Sequence, residues 1–172
     1  MINKKKLIPI EVHDLIRIGN DNDGGYVIPK SIIKNCDSLL SYGINKNWSF
    51  EKDFINKNPS LTVHCYDHTL NVFSLFIFTF KSIFLSILHF LLLDKKRFLN
   101  ASSGINILPK YFTFFNNKAS HFKKRIWNFK NRNSITVKDS IEKIPSYNSK
   151  KIFIKMDIEG AEYKVLYDVY KP

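Results

Sequence analysis

The sequence predicts a single α/β domain built on a parallel sheet, and three observations predict it. Apolar runs rich in β-formers, "SLLSYGI" and "SLTVHCYD" early and "KIFIKMD" late, alternate with segments of helical spacing. The order strand, helix, strand, an excursion, then strand, helix, strand, helix is what a parallel sheet with helical crossovers requires. The 172 residues, 44% hydrophobic and 15% aromatic, suffice for one core and not comfortably for two.

At the start, "MINKKKLIPIEVHD" has basic residues but no apolar stretch with a small-residue cleavage site, which argues against export. Cys36 and Cys65 lack metal-ligand spacing and lie in strand-like contexts, so buried free thiols and a reducing, cytoplasmic setting are expected. "DLIRIGNDNDGGYVIPKSII" is a short apolar piece broken by turn formers, which predicts a loop at 19–25. "SLLSYGI" is a strand ending at Gly43, and "NKNWSFEKDFINKN" then sets Trp48, Phe50 or Glu51, and Phe54 at helical intervals. "SLTVHCYDHT" alternates Leu61, Val63 and Cys65 on one face and ends at Asp67. "SITVKDSIEKIP" reads as a short strand running into a short helix. The "KIFIKMD" strand then delivers Asp157 and Glu159 to its end, before the helix of "EGAEYKVLYDVY". In an open α/β sheet, ligands bind in the crevice outside such strand ends.

The excursion holds a 19-residue run at 75–93, "LFIFTFKSIFLSILHFLLL", nearly long enough to span a bilayer. Lys81 interrupts it, and Thr79, Ser82, Ser86 and His89 recur at intervals of three, four and three, a polar stripe along one helical face. A single span would also leave Gly43 and Asp67 on one side of the membrane and Asp157 on the other, although one sheet must hold all three. A packed cap helix or an interfacial helix is expected instead, with peripheral membrane contact.

The formal net charge of +12 is concentrated: residues 94–138 carry eleven Lys and Arg against the single acid Asp94, a surplus of +10. Aromatic residues such as Phe98, Phe112, Trp127 and Phe129 are interleaved with these cations. Two readings stay open, an anion-attracting surface for phosphate, nucleic acid or acidic lipid, and a merely solvated basic face.

"DGGYVIP" at 23–29, "SYGINKNWSFE" at 41–51, "YDHT" at 66–69 and "FIKMDIEGAEYKVL" at 153–166 occur in an order that resembles the FkbM-like S-adenosylmethionine-dependent methyltransferases. The resemblance touches residues 17–69 and 134–168 and implies a Rossmann-like class I methyltransferase sheet within a single domain at 1–172. Residues 70–133 would be a helical, apolar and basic insertion. The sheet would be incomplete at the C-terminus, since the family continues past its fourth strand. S-adenosylmethionine is the implied cofactor and no metal is implied. The resemblance makes Gly43 a point of close backbone approach and Asp67 the acceptor for the ribose hydroxyls, with a helix cap as the alternative for Asp67. Asp157 would face the ammonium and sulfonium, and Glu159, opening the next helix with Glu162, joins it as a catalytic candidate. Glu51 would hold the first loop or be a solvated helix carboxylate. Asp23, Gly24 and Gly25 would form a lid over the cofactor or an ordinary turn. His121 is either a substrate-side base or part of a basic helix. The implied reaction is O-methylation of a small molecule or glycan; the alternative is a non-catalytic basic module that binds nucleic acid or a membrane surface, nucleic acid being the less favoured partner.

Overall fold

Every residue of β3 (Ser38–Tyr42) is buried, as a strand covered on both faces must be, and this is why "SLLSY" lacks a polar face. The computed structural model describes residues 11–21, 24–145 and 147–170. β4 (Thr62–Tyr66) and β8 (Ile152–Met156) flank β3 in parallel, with Ser38 opposite both Thr62 and Ile152. β5 (Ser120–Phe122) pairs in parallel with β4 and completes a four-stranded sheet of order β5-β4-β3-β8. Counted along the chain, that order is third, second, first, fourth. The connections therefore leave β3 and β8 toward opposite sides, and a crevice opens beyond the carboxyl ends of these two strands.

Period-two alternation divides the core into two layers. Leu39, Val63 and Cys65 point to a face covered by α1 (Lys30–Asn35), α2 (Ser49–Lys57) and α5 (Ile107–Asn117), through Ile33, Phe50, Phe54, Tyr111 and Phe114. Leu40, Tyr42 and Tyr66 point to the other, covered by α6 (Val137–Glu142), α7 (Glu162–Tyr170) and the short parallel pair β6 (Arg125–Ile126) and β7 (Ser134–Ile135). Phe50 and Phe54 are almost wholly buried, each worth about 1.5–3 kcal/mol by transfer from water. Both cysteines are free and buried, as expected, and burial pushes the Cys36 thiol up to about 11. The mixed α/β class and the central parallel sheet agree with the sequence reading.

Three parts differ from it. A loop occupies the described residues of 19–25, as expected, but the pieces flanking it, not read as strands, pair as an antiparallel hairpin of β1 (Leu15–Ile18) and β2 (Tyr26–Pro29); four-residue strands are too short to show a period. Asp23, assigned with Gly24 and Gly25 to a lid, lies outside the described residues. The excursion expected over 70–133 is not all insertion, because β5 within it is a strand of the main sheet, and His121 lies on that strand and not on a basic helix.

The third difference is the orientation of the polar stripe, which by its composition implies a helix face toward polar surroundings. The apolar run forms α3 (Val72–Leu91), which folds back on α4 (Lys95–Ser102) through Leu92–Leu93–Asp94 and also touches α5. Ser82 and Ser86 are buried against the protein together with Leu75, whereas most of the other bulky apolar residues of the helix face outward. A Cβ at Gly104 would collide with the Ser82 hydroxyl and the Phe78 ring, so small residues on both sides allow the close contact. Large side chains on the stripe would separate these elements, and this decides which face turns inward.

Candidate functional site

A cleft of about 570 Å³ lies at the carboxyl ends of β3, β4 and β8. Its lining comes from the loop after β3 (Gly43 to Asn47), the β4 end (Tyr66 to Thr69), the β8 end (Lys155 to Glu159 without Met156), Gly24 of the hairpin, and Lys124 to Ile126. Carboxylates from Asp157 and Glu159 stand on the β8 side, with Lys46, Lys124 and Arg125 also on the walls. Such a polar, mixed-charge cleft suits a ligand carrying both signs of charge.

Gly43 is where β3 meets β8. Its φ of +76° belongs to the left-handed region, and a Cβ there would run into the Asp157 carbonyl oxygen. The glycine thus admits the neighbouring strand end as well as any ligand. The backbone is pinned on both sides, since Gly43 N–H donates to the Tyr66 carbonyl at 3.0 Å and Asp157 N–H to the Tyr42 carbonyl at 2.9 Å. Gly24 also has a positive φ, lines the cleft and packs against the Asn47 amide; Gly25 instead packs within the hairpin against Asn20 and Arg17.

Asp67 is committed to the protein itself. One carboxylate oxygen accepts from the backbone N–H of Ile44 and Asn45, and the other from Thr69 N–H, Thr69 hydroxyl and Leu70 N–H, five hydrogen bonds of 2.6–3.1 Å in all. A carboxylate offers about four lone-pair sites, so these donors leave none for a ligand. Asp67 is 7% exposed; burial would raise its pKa, but the bonds from Thr69, Asn45 and Leu70 outweigh it and hold the carboxyl below the usual range. The residue ties the first strand-end loop to the second. Its helix-cap alternative is nearer to what is found, although the capped segment is a turn at Thr69 and Leu70, and Asn71 is the cap of α3.

Glu51 lies beneath the cleft and does not line it. It is fully buried on α2, accepts from the Ser41 hydroxyl, and meets Lys155 Nζ at 3.2 Å. Lys155, 7% exposed, also donates to the Gly43 carbonyl at 3.3 Å. Glu51 therefore holds the first loop, as one of its two readings had it, with Lys155 as intermediary. The signal for Lys155 was a lone cation between Ile154 and Met156 in an apolar strand, in register with Phe153 and so aimed at α2.

Asp157 and Glu159 are the exposed pair. The Tyr26 hydroxyl of the hairpin donates to Asp157 at 3.0 Å, a contact across 131 positions of chain that no spacing announces. Glu159 stands in the turn before α7 with φ of +52°, whereas Glu162 begins the helix and accepts from Ile158 N–H at 2.7 Å. Only Glu162 thus opens the helix.

His121 supports the site from behind. Burial lowers its pKa, more than the hydrogen bond to the Asp67 carbonyl raises it, so the ring is neutral. Nε2 faces that carbonyl at 3.1 Å and must carry the proton; Nδ1 then accepts from the Tyr111 hydroxyl at 2.8 Å. His121 thereby fastens α5 to the end of β4.

The aromatics of the basic segment are largely engaged in packing. Tyr111 and Phe114 are core, Phe122 stacks on Tyr66, and Trp127 is faced by Arg125 and Lys164. Comparison of the chain with family models, curated proteins and solved structures gives no match.

Proposed function

We propose that the cleft binds S-adenosylmethionine and that the chain is a methyltransferase acting on a hydroxyl of a small molecule or glycan. The observation that carries this reading is the position of the cleft, at the switch point between β3 and β8, with Gly43 and Asp157 side by side at its base. The resemblance of "SYGINKNWSFE" and "DIEGAE" to the FkbM-like family supports the same ligand. The volume suits a small molecule, and the Asp157 and Glu159 carboxylates suit an ammonium and a sulfonium. With Asp67 occupied, the ribose hydroxyls fall to neighbouring polar groups of Asn45, His68 and the loop that Asp67 holds.

S-adenosylmethionine supplies an already activated methyl group, so the protein's task is to position donor and acceptor. Asp157, steadied by Tyr26, keeps negative charge beside the cationic part of the donor. Lys155, through the Gly43 carbonyl, fixes the loop that orients it. Glu159, exposed at the rim, is the group placed to accept the proton of an acceptor hydroxyl.

Titration calorimetry tests the reading with two ligands. The protein should bind S-adenosylmethionine and its neutral-sulfur product S-adenosylhomocysteine, and Asp157→Ala should weaken the former by roughly 10- to 100-fold, more than the latter. Absence of heat with both ligands would refute it.

A further inference from the structure

The outward face of α3 has no covering among the described residues. At about 100° per residue, Phe73, Phe80, Phe84, Ile87, Phe90 and Leu91 share one side of the helix, and all are exposed. No acid lies anywhere on α3, α4 or α5. A water-facing helix normally shows the reverse arrangement. The hairpin that follows continues the pattern, since Leu93 is 90% exposed and takes a φ of +54°, where glycine or asparagine is usual. A leucine there keeps the tip apolar at a conformational cost.

Directly beyond the tip stand Lys95, Lys96 and Arg97, all exposed. The one acid in the sequence from 72 to 138, Asp94, is occupied in capping α4 through Arg97 N–H and in pairing with the Arg97 side chain. Lys81, exposed one turn from Ile77 and two from Leu88, sits at the margin of the apolar face, where its ammonium can reach headgroups while its stem lies along hydrocarbon.

We infer that the α3–α4 hairpin docks in the plane of an anionic lipid bilayer, with the Phe80–Phe84–Ile87 face in the acyl boundary and Lys95, Lys96 and Arg97 among the headgroups. Charge complementarity selects lipid over a second copy of the chain, because a copy using the same face would bring cations to cations and offer no acid. The helix is long and apolar enough at 20 residues to cross a bilayer, but a crossing would require its Ser82–Ser86 side to leave α4 and the Gly104 turn, or would carry the cations of α4 into hydrocarbon. Lying in the interface satisfies both faces at once.

The test uses the whole chain with phosphatidylcholine vesicles, with and without 30% phosphatidylglycerol, in a flotation assay. The wild type should float with the anionic vesicles, less so at 1 M salt. The pair Phe84→Asp with Ile87→Asp should reduce flotation roughly 100-fold, and Lys95→Glu, Lys96→Glu and Arg97→Glu together should do so by a similar factor on anionic vesicles only. Both sets change exposed residues, so thermal melts should match the wild type. Phe84→Cys carrying an environment-sensitive fluorophore, labelled selectively because Cys36 and Cys65 are buried, should turn blue and brighten on binding. Failure to float, a dimer abolished by Phe84→Asp, or retention after alkaline carbonate would each overturn the proposal.

Discussion

Asp67 shows how one side chain can look like a ligand-binding group while serving the backbone. Its five accepted bonds tie the loop after β3 to the turn after β4, and Asp67→Asn would set an amide N–H against donors already present. Unfolding in urea should register a loss of about 3 kcal/mol or more, since several donors become unsatisfied and the charge assisting them is removed. By contrast Asp157→Asn, at an exposed strand end with one bond from Tyr26, should leave stability within about 0.5 kcal/mol while weakening S-adenosylmethionine in calorimetry. A ligand role for Asp67 would be indicated by the opposite pattern. Sequence alone placed both acids at strand ends, because an apolar run ending on a carboxylate is visible in one dimension. What each carboxylate accepts from depends on loops brought together in space, and neither the N–H groups of Ile44 and Asn45 nor the Tyr26 hydroxyl leaves a local trace.

Between elements, the Lys155–Glu51 pair joins β8 to α2 under the cleft, and both side chains are essentially removed from water. The pair's Coulomb gain is offset by the cost of desolvating two charges, so its removal as a unit should be nearly neutral, whereas removal of one member strands the other. Glu51→Gln is expected to destabilise by about 3–5 kcal/mol and the double variant Glu51→Gln with Lys155→Met by much less, as read from urea midpoints. A double-variant loss equal to the sum of the Glu51→Gln and Lys155→Met losses would show that the pair does not interact. The double variant should nonetheless weaken cleft binding, because the Gly43 carbonyl loses its tether. Helix α3 was legible as a helix with a polar stripe, but its inward side was not. Burial of the stripe follows from residue size, Ser82 and Ser86 against Gly104, and hydropathy alone points the other way.

For the molecule as a whole, the alternation of strands and helices was enough to predict a parallel sheet, and the strand order was not, because the three-residue β5 carries no period and its pairing with β4 is decided by α5 docking through Tyr111 and His121. That same junction governs how the fold responds to acid. His64 on β4 and His121 on β5 both have pKa values lowered chiefly by burial, with Lys143 adding to the effect at His64 and the Asp67 carbonyl opposing it at His121. In the unfolded chain each returns to about 6.5, so below that value the unfolded state binds more protons than the folded one. Stability should therefore be fully present near pH 7.5, fall as pH drops through about 6.5, and level off only below the folded pKa values, with a slope of at most ~1.4 kcal/mol per pH unit for each group. Asp67 acts in a lower window with the same sign: its carboxyl is held below the ordinary range, so its contribution persists above about 3.9 and is lost as pH falls toward the folded value. Urea midpoints measured from pH 7.5 down to about 2 should thus decline in two stages. His64→Phe, which keeps an aromatic ring against Phe122, should reduce the upper stage to the part that His121 contributes and leave the lower one unchanged. A wild-type profile flat between pH 7.5 and 5 would mean that neither histidine is held neutral in the fold, and that the β4–β5 junction admits water or protons at the back of the cleft.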